Sequence, residues 1–305
     1  MPAIKVTTWQ GTVDSDFDTA ANWSNGIPEA TGMAVIDGTV DITGGAISTV
    51  CKQLYVSYSY TGSIGSAGTP IQIDVDQVAF DCTTSSKTAF IDILPAATTP
   101  SVFVDGSNAG SALVISGDID RLVVASSFRG TVTLGNSAVF TADIKNMEMM
   151  AAAGTVDASN ASNVAWVASA EVRITSGLVI VAENFGDGST CTISGGTLRV
   201  DDWVKTGTTD SIVMLGGIVS WLGGANAFSA SAVNGVNILK ILGGTFTMAT
   251  NAYGYVSFGS AFQFGGTLDL EGSFANVEFV TILERYSGKF VPPKTVEIDM
   301  SRLSG

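Results

Sequence analysis

Asp201 and Asp202 are the residues of this chain best suited by type to acid–base chemistry. Two carboxylates facing one glycosidic bond can serve as acid and base, or as acid and nucleophile. Neighbouring strand residues point to opposite faces, so this pair would need a bulge to act together. Solvated surface is the favoured reading for both. A second acidic run, Asp14-Ser15-Asp16-Phe17-Asp18, opens like a calcium loop. Its sixth position is Thr19 rather than glycine and its twelfth is Asn25 rather than glutamate, so a solvated loop is expected there.

Histidine is absent from all 305 residues. That removes the commonest general base, and with it Ser-His and Cys-His nucleophilic pairs. It also removes the Gly-His-Gly of polygalacturonase-like β-helical glycosidases. A pectate-lyase arrangement needs a basic residue among calcium-binding carboxylates, and Arg173 and Arg199 lie at different places in the repeat frame. Cys51, Cys82 and Cys191 are widely spaced with no Cys-x-x-Cys, which argues against zinc and for buried free thiols. Trp23, Trp166, Trp203 and Trp221 could serve as sugar platforms, although Trp221 falls at an inward position of the repeat described below. The sequons Asn22-Trp23-Ser24 and Asn160-Ala161-Ser162 matter only in an exported chain. No catalytic, cofactor-binding or metal-ligating residue is assigned, no cofactor is expected, and the chain is read as a non-enzyme.

The elements that would position any of these residues are short strands. Aligned on a glycine, the chain repeats one frame. Gly196 precedes Thr-Leu-Arg-Val, Gly217 precedes Ile-Val-Ser-Trp, Gly244 precedes Thr-Phe-Thr-Met and Gly266 precedes Thr-Leu-Asp-Leu. Gly38, Gly130, Gly154 and Gly177 open similar tetrads, and from Gly130 onward the steps are 24, 23, 19, 21, 27 and 22 residues. Steps of this size mark a solenoid. The second and fourth residues of each tetrad are apolar, so alternation places them on one inward face. Val132, Val156, Val179, Leu198, Val219, Phe246 and Leu268 form one expected column. Leu134, Ala158, Val181, Val200, Trp221, Met248 and Leu270 form its neighbour. The glycines are expected to turn the corners through positive φ.

Between Ile42 and Gly130 the frame is hidden, but the distance leaves room for about four coils. Ile71–Val75, Phe90–Leu94, Ser101–Val104 and Leu113–Ile115 are the strands expected to fill it. Ile144–Gly154 is the one helix-leaning stretch, and a coil insertion accounts for it equally well. The fold predicted is all-β, a right-handed parallel β-helix (β-solenoid) with an N-terminal cap and a C-terminal extension. Its divisions are residues 1–32 for the cap, 33–278 for the solenoid and 279–305 for a C-terminal cap or docking segment. In that last part the glycine corners are read as lost. Arg285, Lys289, Lys294 and Arg302 place four of the 14 basic residues among the last 21 positions, as a possible docking set.

Charged residues are only 14% of the chain and the formal charge is −14. Clustered basic residues are missing, which argues against nucleic acid and anionic membrane as partners. No apolar run of about 18 residues suggests a membrane-spanning helix. Mean hydropathy is +0.36, so uncharged outer faces are expected to pack against further subunits. The first residues lack the basic and apolar regions of a secretory leader, and export by that route is not expected.

Trp9-Gln10-Gly11, Asn22-Trp23-Ser24, Gly26-Ile27-Pro28 and Val35-Ile36 together resemble the opening of Gly/Thr-rich β-helical phage virion and autotransporter-like proteins. The resemblance covers about 40 residues and the general style of the repeat. It implies a structural component of a bacteriophage particle, assembled in the host cytoplasm and located in the virion. The preferred role is capsid decoration (cement) by a β-helical homotrimer contacting the major capsid protein or another virion protein. Alternatives are a tail spike or fibre that binds or degrades glycan, and a bacterial surface adhesin.

Overall fold

The computed structural model describes residues 4–94, 100–135, 142–161, 163–164, 170–181, 190–200, 211–221, 234–248, 255–271 and 276–292. Among them the only helical element is one 3-10 turn, Ala20–Asn22; the rest are strands and tight turns. All laddered strands pair in parallel, and they stack coil on coil as a β-solenoid. The chain divides into two compact units. One comprises Met1–Ile144 with Met150–Ser162, the other Lys145–Met149 with Asn163–Gly305.

In the N-terminal unit one sheet runs Val6–Thr8, Met33–Ile36, Gln53–Val56, Gln77–Asp81, Ser101–Asp105 and the last part of Ala112–Val124. A second sheet runs Ala46–Cys51, Ile71–Val75, Thr88–Ile93, the first part of Ala112–Val124, Thr131–Leu134 and Thr155–Ala158. Four coils therefore fill the interval where the sequence hid its frame. Alternation is the reason: in Thr88–Ile93 the residues Ala89, Ile91 and Ile93 are buried while Thr88, Phe90 and Asp92 are half-buried. Ladder pairing also makes Ala142–Met149 a strand, so the helix-leaning composition there is overridden.

In the C-terminal unit, from Glu171 onward, the described part of each coil is a strand, a three-residue corner and a second strand. The first sheet carries Lys145–Met149, Glu171–Ile174, Thr190–Ile193, Ser211–Met214, Asn234–Ile241, Tyr255–Gln263 and Asn276–Arg285. The second carries Leu178–Val181, Thr197–Val200, Ile218–Trp221, Thr245–Met248, Thr267–Asp269 and Lys289–Val291. The expected inward column is present in register: Val179, Leu198, Val219, Phe246 and Leu268 lie directly above one another and are buried. In the N-terminal unit Val132 sits over Val156 in the same way. Each such side chain removed from water is worth roughly 1.5–3 kcal/mol, and the stack spaces them about 4.8 Å apart.

Two boundaries move. Val6–Thr8, inside the segment read as a cap, is already a ladder strand on Met33–Val35. At the other end, Lys289–Val291 extends the second sheet over Thr267–Asp269. The corner glycines are not lost there. Gly288 lies 22 residues after Gly266, has φ +96°, and is followed by a strand whose Lys289 N–H donates to the Gly266 carbonyl at 2.8 Å. Gly-Gly has become Ser-Gly, which hid the frame.

Gly38 is a further correction. Its φ is +90°, yet the strand is Met33–Ile36 before it, and Thr39–Ile42 is not a ladder strand. The Val40 carbonyl accepts the Trp9 indole N–H at 3.3 Å and the Tyr60 hydroxyl at 3.0 Å. Side chains thus take the backbone group that a ladder would use. Gly130 and Gly154 do precede strands, but positive φ is not why they are glycine. A Cβ on Gly130 would lie 2.2 Å from the Ser111 carbonyl oxygen, so close packing is the reason.

The N-terminal cap proper is a loop closed by aromatic packing. Trp9, Phe17 and Trp23 are buried with ring centroids 5.2–6.4 Å apart, and Trp23 donates to the Phe17 carbonyl at 2.9 Å. The Phe17 N–H donates to Gly44 at 2.7 Å and Thr43 N–H to Ser15 at 2.9 Å. The loop thereby covers backbone that an open sheet edge would leave unpaired.

Candidate functional site

Among the described residues the acidic candidates form no shared centre. Asp201 and Asp202 lie outside the described residues, as do Trp166 and Trp203. Asp14 is occupied in its own loop: Asn22 donates to it at 2.5 Å and Thr19 at 3.4 Å, and the Asn22 bond chiefly holds its carboxyl below the usual range. Among the described residues no three of His, Cys, Asp or Glu are placed to share a metal ion. Arg173 pairs with Glu171 at 2.7 Å on the exposed face of one strand. Arg199 is exposed, in register between Ile180 and Ser220. Trp23 belongs to the cap core, and the side chain of Trp221 is outside the described set.

The three cysteines are free and buried. Burial pushes the thiols of Cys51 and Cys82 up, and that of Cys191 to about 12. As thiols of that kind they are poor nucleophiles. Lys87 is 3% exposed and donates to the carbonyls of Ser57 at 2.5 Å and Asp81 at 2.6 Å. Burial lowers its pKa, against the pull of Cys82, Asp81 and Asp37. It ties one corner to the next. Asp74 is 8% exposed, and its Oδ1 has no partner among the described residues. Burial, then the charge of Asp76, raises its pKa.

Of the basic set read as a docking segment, Lys294 and Arg302 fall outside the described residues. Arg285 is exposed, and it stands at the end of the inward column against a buried neighbour. The inward column of the first sheet runs Ile174, Ile193, Met214, Ile241, Gln263, Arg285. Gln263 is buried, donates to the Lys289 carbonyl at 2.8 Å and accepts from Arg285 Nε at 3.0 Å. The Arg285 guanidinium lies 4.7 Å from the Phe290 ring centroid. Lys289 is exposed on the outer face.

What the C-terminal unit does present is a column of corner side chains. The corners are Thr175-Ser176-Gly177, Ser194-Gly195-Gly196, Leu215-Gly216-Gly217, Leu242-Gly243-Gly244, Phe264-Gly265-Gly266 and Tyr286-Ser287-Gly288. The corners share one backbone pattern, to which hydroxyls add at the two ends of the column, Thr175 to the Met149 carbonyl and Ser287 to the Phe264 carbonyl. The carbonyl of Met214 accepts from both Leu242 (2.8 Å) and Gly243 (3.3 Å), and Thr245 donates to Gly217 at 2.9 Å. Gly244 has φ +78°, and a Cβ there would come within 2.4 Å of the Gly217 oxygen. The glycines are forced by the corner below; the residue before them is free to point outward. Leu215, Leu242, Phe264 and Tyr286 do so, at 51%, 49%, 45% and 65% exposure. Phe264 and Tyr286 stack with centroids 4.8 Å apart and planes 2° from parallel. Beside them Ile218 is 46% exposed.

No family model, no curated protein sequence and no solved structure matches the chain.

The ridge was not read from the sequence, although its signal is present. Leu, Leu and Phe stand immediately before the Gly-Gly pairs of three successive corners. A position tied to a corner rather than to the inward alternation has no core reason to be apolar.

Proposed function

We propose that the protein is a structural subunit of a bacteriophage particle, most specifically a capsid decoration (cement) protein that acts as an oligomer. It works as a scaffold and not as an enzyme. The observation that carries this reading is the run of exposed apolar side chains in register on successive coils, on a chain of −14 charge with few charged residues. Contiguous apolar surface of that kind marks a contact site. The N-terminal Trp-x-Gly, Asn-Trp-Ser and Gly-x-Pro elements, whose tryptophans build the cap, supply the link to phage virion proteins. In this role the mechanism is mechanical: ordered coils present uncharged surface to neighbouring subunits, and burial of that surface holds them.

Counting the chain in purified particles by quantitative mass spectrometry tests the proposal. Hundreds of copies per particle are expected for a decoration protein. A few or a few tens would move the protein to a tail spike or fibre, where release of oligosaccharide from host glycan becomes the next measurement. Absence from particles would overturn the virion reading.

A further inference from the structure

The exposed corner column fits a second copy of itself. We infer that Leu215, Leu242, Phe264 and Tyr286 form the seam of a parallel, rotationally symmetric self-association, in which each corner meets the same corner of a neighbouring copy. The inference gives a contact surface to the oligomer proposed above, but it does not require a phage particle.

Area is the first argument. With Ile218, the five side chains are 45–65% exposed, which amounts to on the order of 500 Å² of apolar surface per copy. That is near the upper end for the largest patch on an ordinary monomer. Two copies meeting along it remove about 1,000 Å² in total, the lower bound for a specific interface.

Charge is the second. Beside the ridge on the first sheet stand the outward residues Val213, Lys240, Phe262 and Glu284, one per coil. On the second sheet stand Ile218, Thr245, Thr267 and Lys289. Rotation about an axis parallel to the ridge sets the first flank of one copy against the second flank of the next, coil for coil. Val213 then faces Ile218, Lys240 faces Thr245, Phe262 faces Thr267, and Glu284 faces Lys289. At one end apolar meets apolar, at the other the acid meets the base, and Lys240 meets a hydroxyl rather than hydrocarbon. An antiparallel pairing instead sets flank against like flank in reverse order. Glu284 would then face Val213 and Lys289 would face Ile218, two charges desolvated against hydrocarbon. The parallel arrangement is the one these flanks complement.

The third argument is spacing. Every corner is built from the same hydrogen bonds to the corner below, so the ridge repeats at the rung distance of about 4.8 Å. A copy of the same chain has the same repeat, and all four layers engage together.

Sedimentation and light scattering over a concentration series provide the test, on the full chain. The wild type is expected to associate. Leu242→Glu should weaken association at least 10-fold while far-UV circular dichroism stays unchanged, since the position is exposed. Lys289→Glu should weaken it, and combining it with Glu284→Lys should restore it. Orientation is read by oxidation of variants that add one surface cysteine, against a low background because the three native thiols are buried. Leu242→Cys alone should cross-link to itself, as should Phe264→Cys. Preferential cross-linking between Leu242→Cys and Phe264→Cys in a mixture would overturn the parallel arrangement. A wild type that stays monomeric at all concentrations would overturn the inference, including where the ridge then binds detergent or lipid vesicles. Virion copy number tests the phage reading separately, so either can fail alone.

Discussion

The position that closes the first-sheet strands differs between four coils of the N-terminal unit and the last four of the C-terminal unit. In the former it is occupied by Asp37, Ser57, Asp81 and Asp105, before Ala125 on the next coil. In the C-terminal unit it is occupied by Thr175, Ser194, Leu215, Leu242, Phe264 and Tyr286. Asp37 accepts the Gly38 N–H at 2.8 Å, Asp81 the Thr83 N–H at 3.0 Å and Asp105 the Gly106 N–H at 2.6 Å. There the side chain closes its own corner and must be a short polar acceptor. In the C-terminal unit the backbone closes the corner, through a glycine that stacks on the glycine below. At the Gly-Gly corners that frees the leading side chain from closing the turn, whereas Thr175 still bonds the Met149 carbonyl below. A glycine corner therefore does more than turn the chain: it releases one side chain per coil to face a partner.

The largest expected effect comes from breaking the backbone-only corner. Gly244→Ala combines a positive φ with a Cβ 2.4 Å from the Gly217 oxygen and should cost about 3 kcal/mol or more, seen in the denaturation midpoint. Gly38→Ala is its counterpart, because φ is +90° but the space beside it is open. Only the backbone term remains, about 1–2 kcal/mol. Equal losses at the two sites would remove the distinction between stacked and solitary corners.

Side-chain corners should respond more mildly. Asp105→Ala removes acceptance from Gly106 and Ser127 and should cost about 1 kcal/mol, measured by chemical denaturation. Asp37 gives the pH signature. Its hydrogen bond from Ser59 (2.5 Å), with that from Gly38, holds its pKa below the usual carboxylate value. The stabilisation is therefore present above the ordinary aspartate pKa and lost as pH falls through the depressed one. Asp37→Asn should flatten that part of the stability–pH curve, and an unchanged curve would remove Asp37 from the account. The smallest effect is expected at the ridge itself. Leu242→Thr should change the stability of a single subunit by no more than about 0.5 kcal/mol, because half of the side chain is already in water.

The C-terminal unit was legible in the sequence because its corners are chemically uniform. Gly-Gly followed by alternating residues specifies turn, strand and inward face together, and Leu198, Val219, Phe246 and Leu268 stand where alternation placed them. The last coil escaped notice because one substitution, Ser287 for glycine, broke the pattern while Gly288 kept the geometry. The N-terminal unit was legible only as isolated strands. Its corners rest on tertiary hydrogen bonds, such as Lys87 to Ser57 and Tyr60 to Val40, that no local spacing announces. Gln53–Val56 and Gln77–Asp81 were missed for the same reason. The ridge was hidden differently: its residues were in plain view, but as the first letter of a repeat whose meaning was sought in the glycines.

The bond from the residue after each corner to the glycine carbonyl below recurs at Thr197, Ile218, Thr245, Thr267 and Lys289, always 2.8–2.9 Å long. Each coil offers upward the same acceptor that it uses downward. Such a joint is indifferent to how many times it has been used, so a coil can be gained or lost by duplication or deletion without redesigning its neighbours. Length thereby becomes an adjustable quantity, set by gene length in increments of about 4.8 Å. In this unit the glycine column acts as a ruler as much as a hinge line.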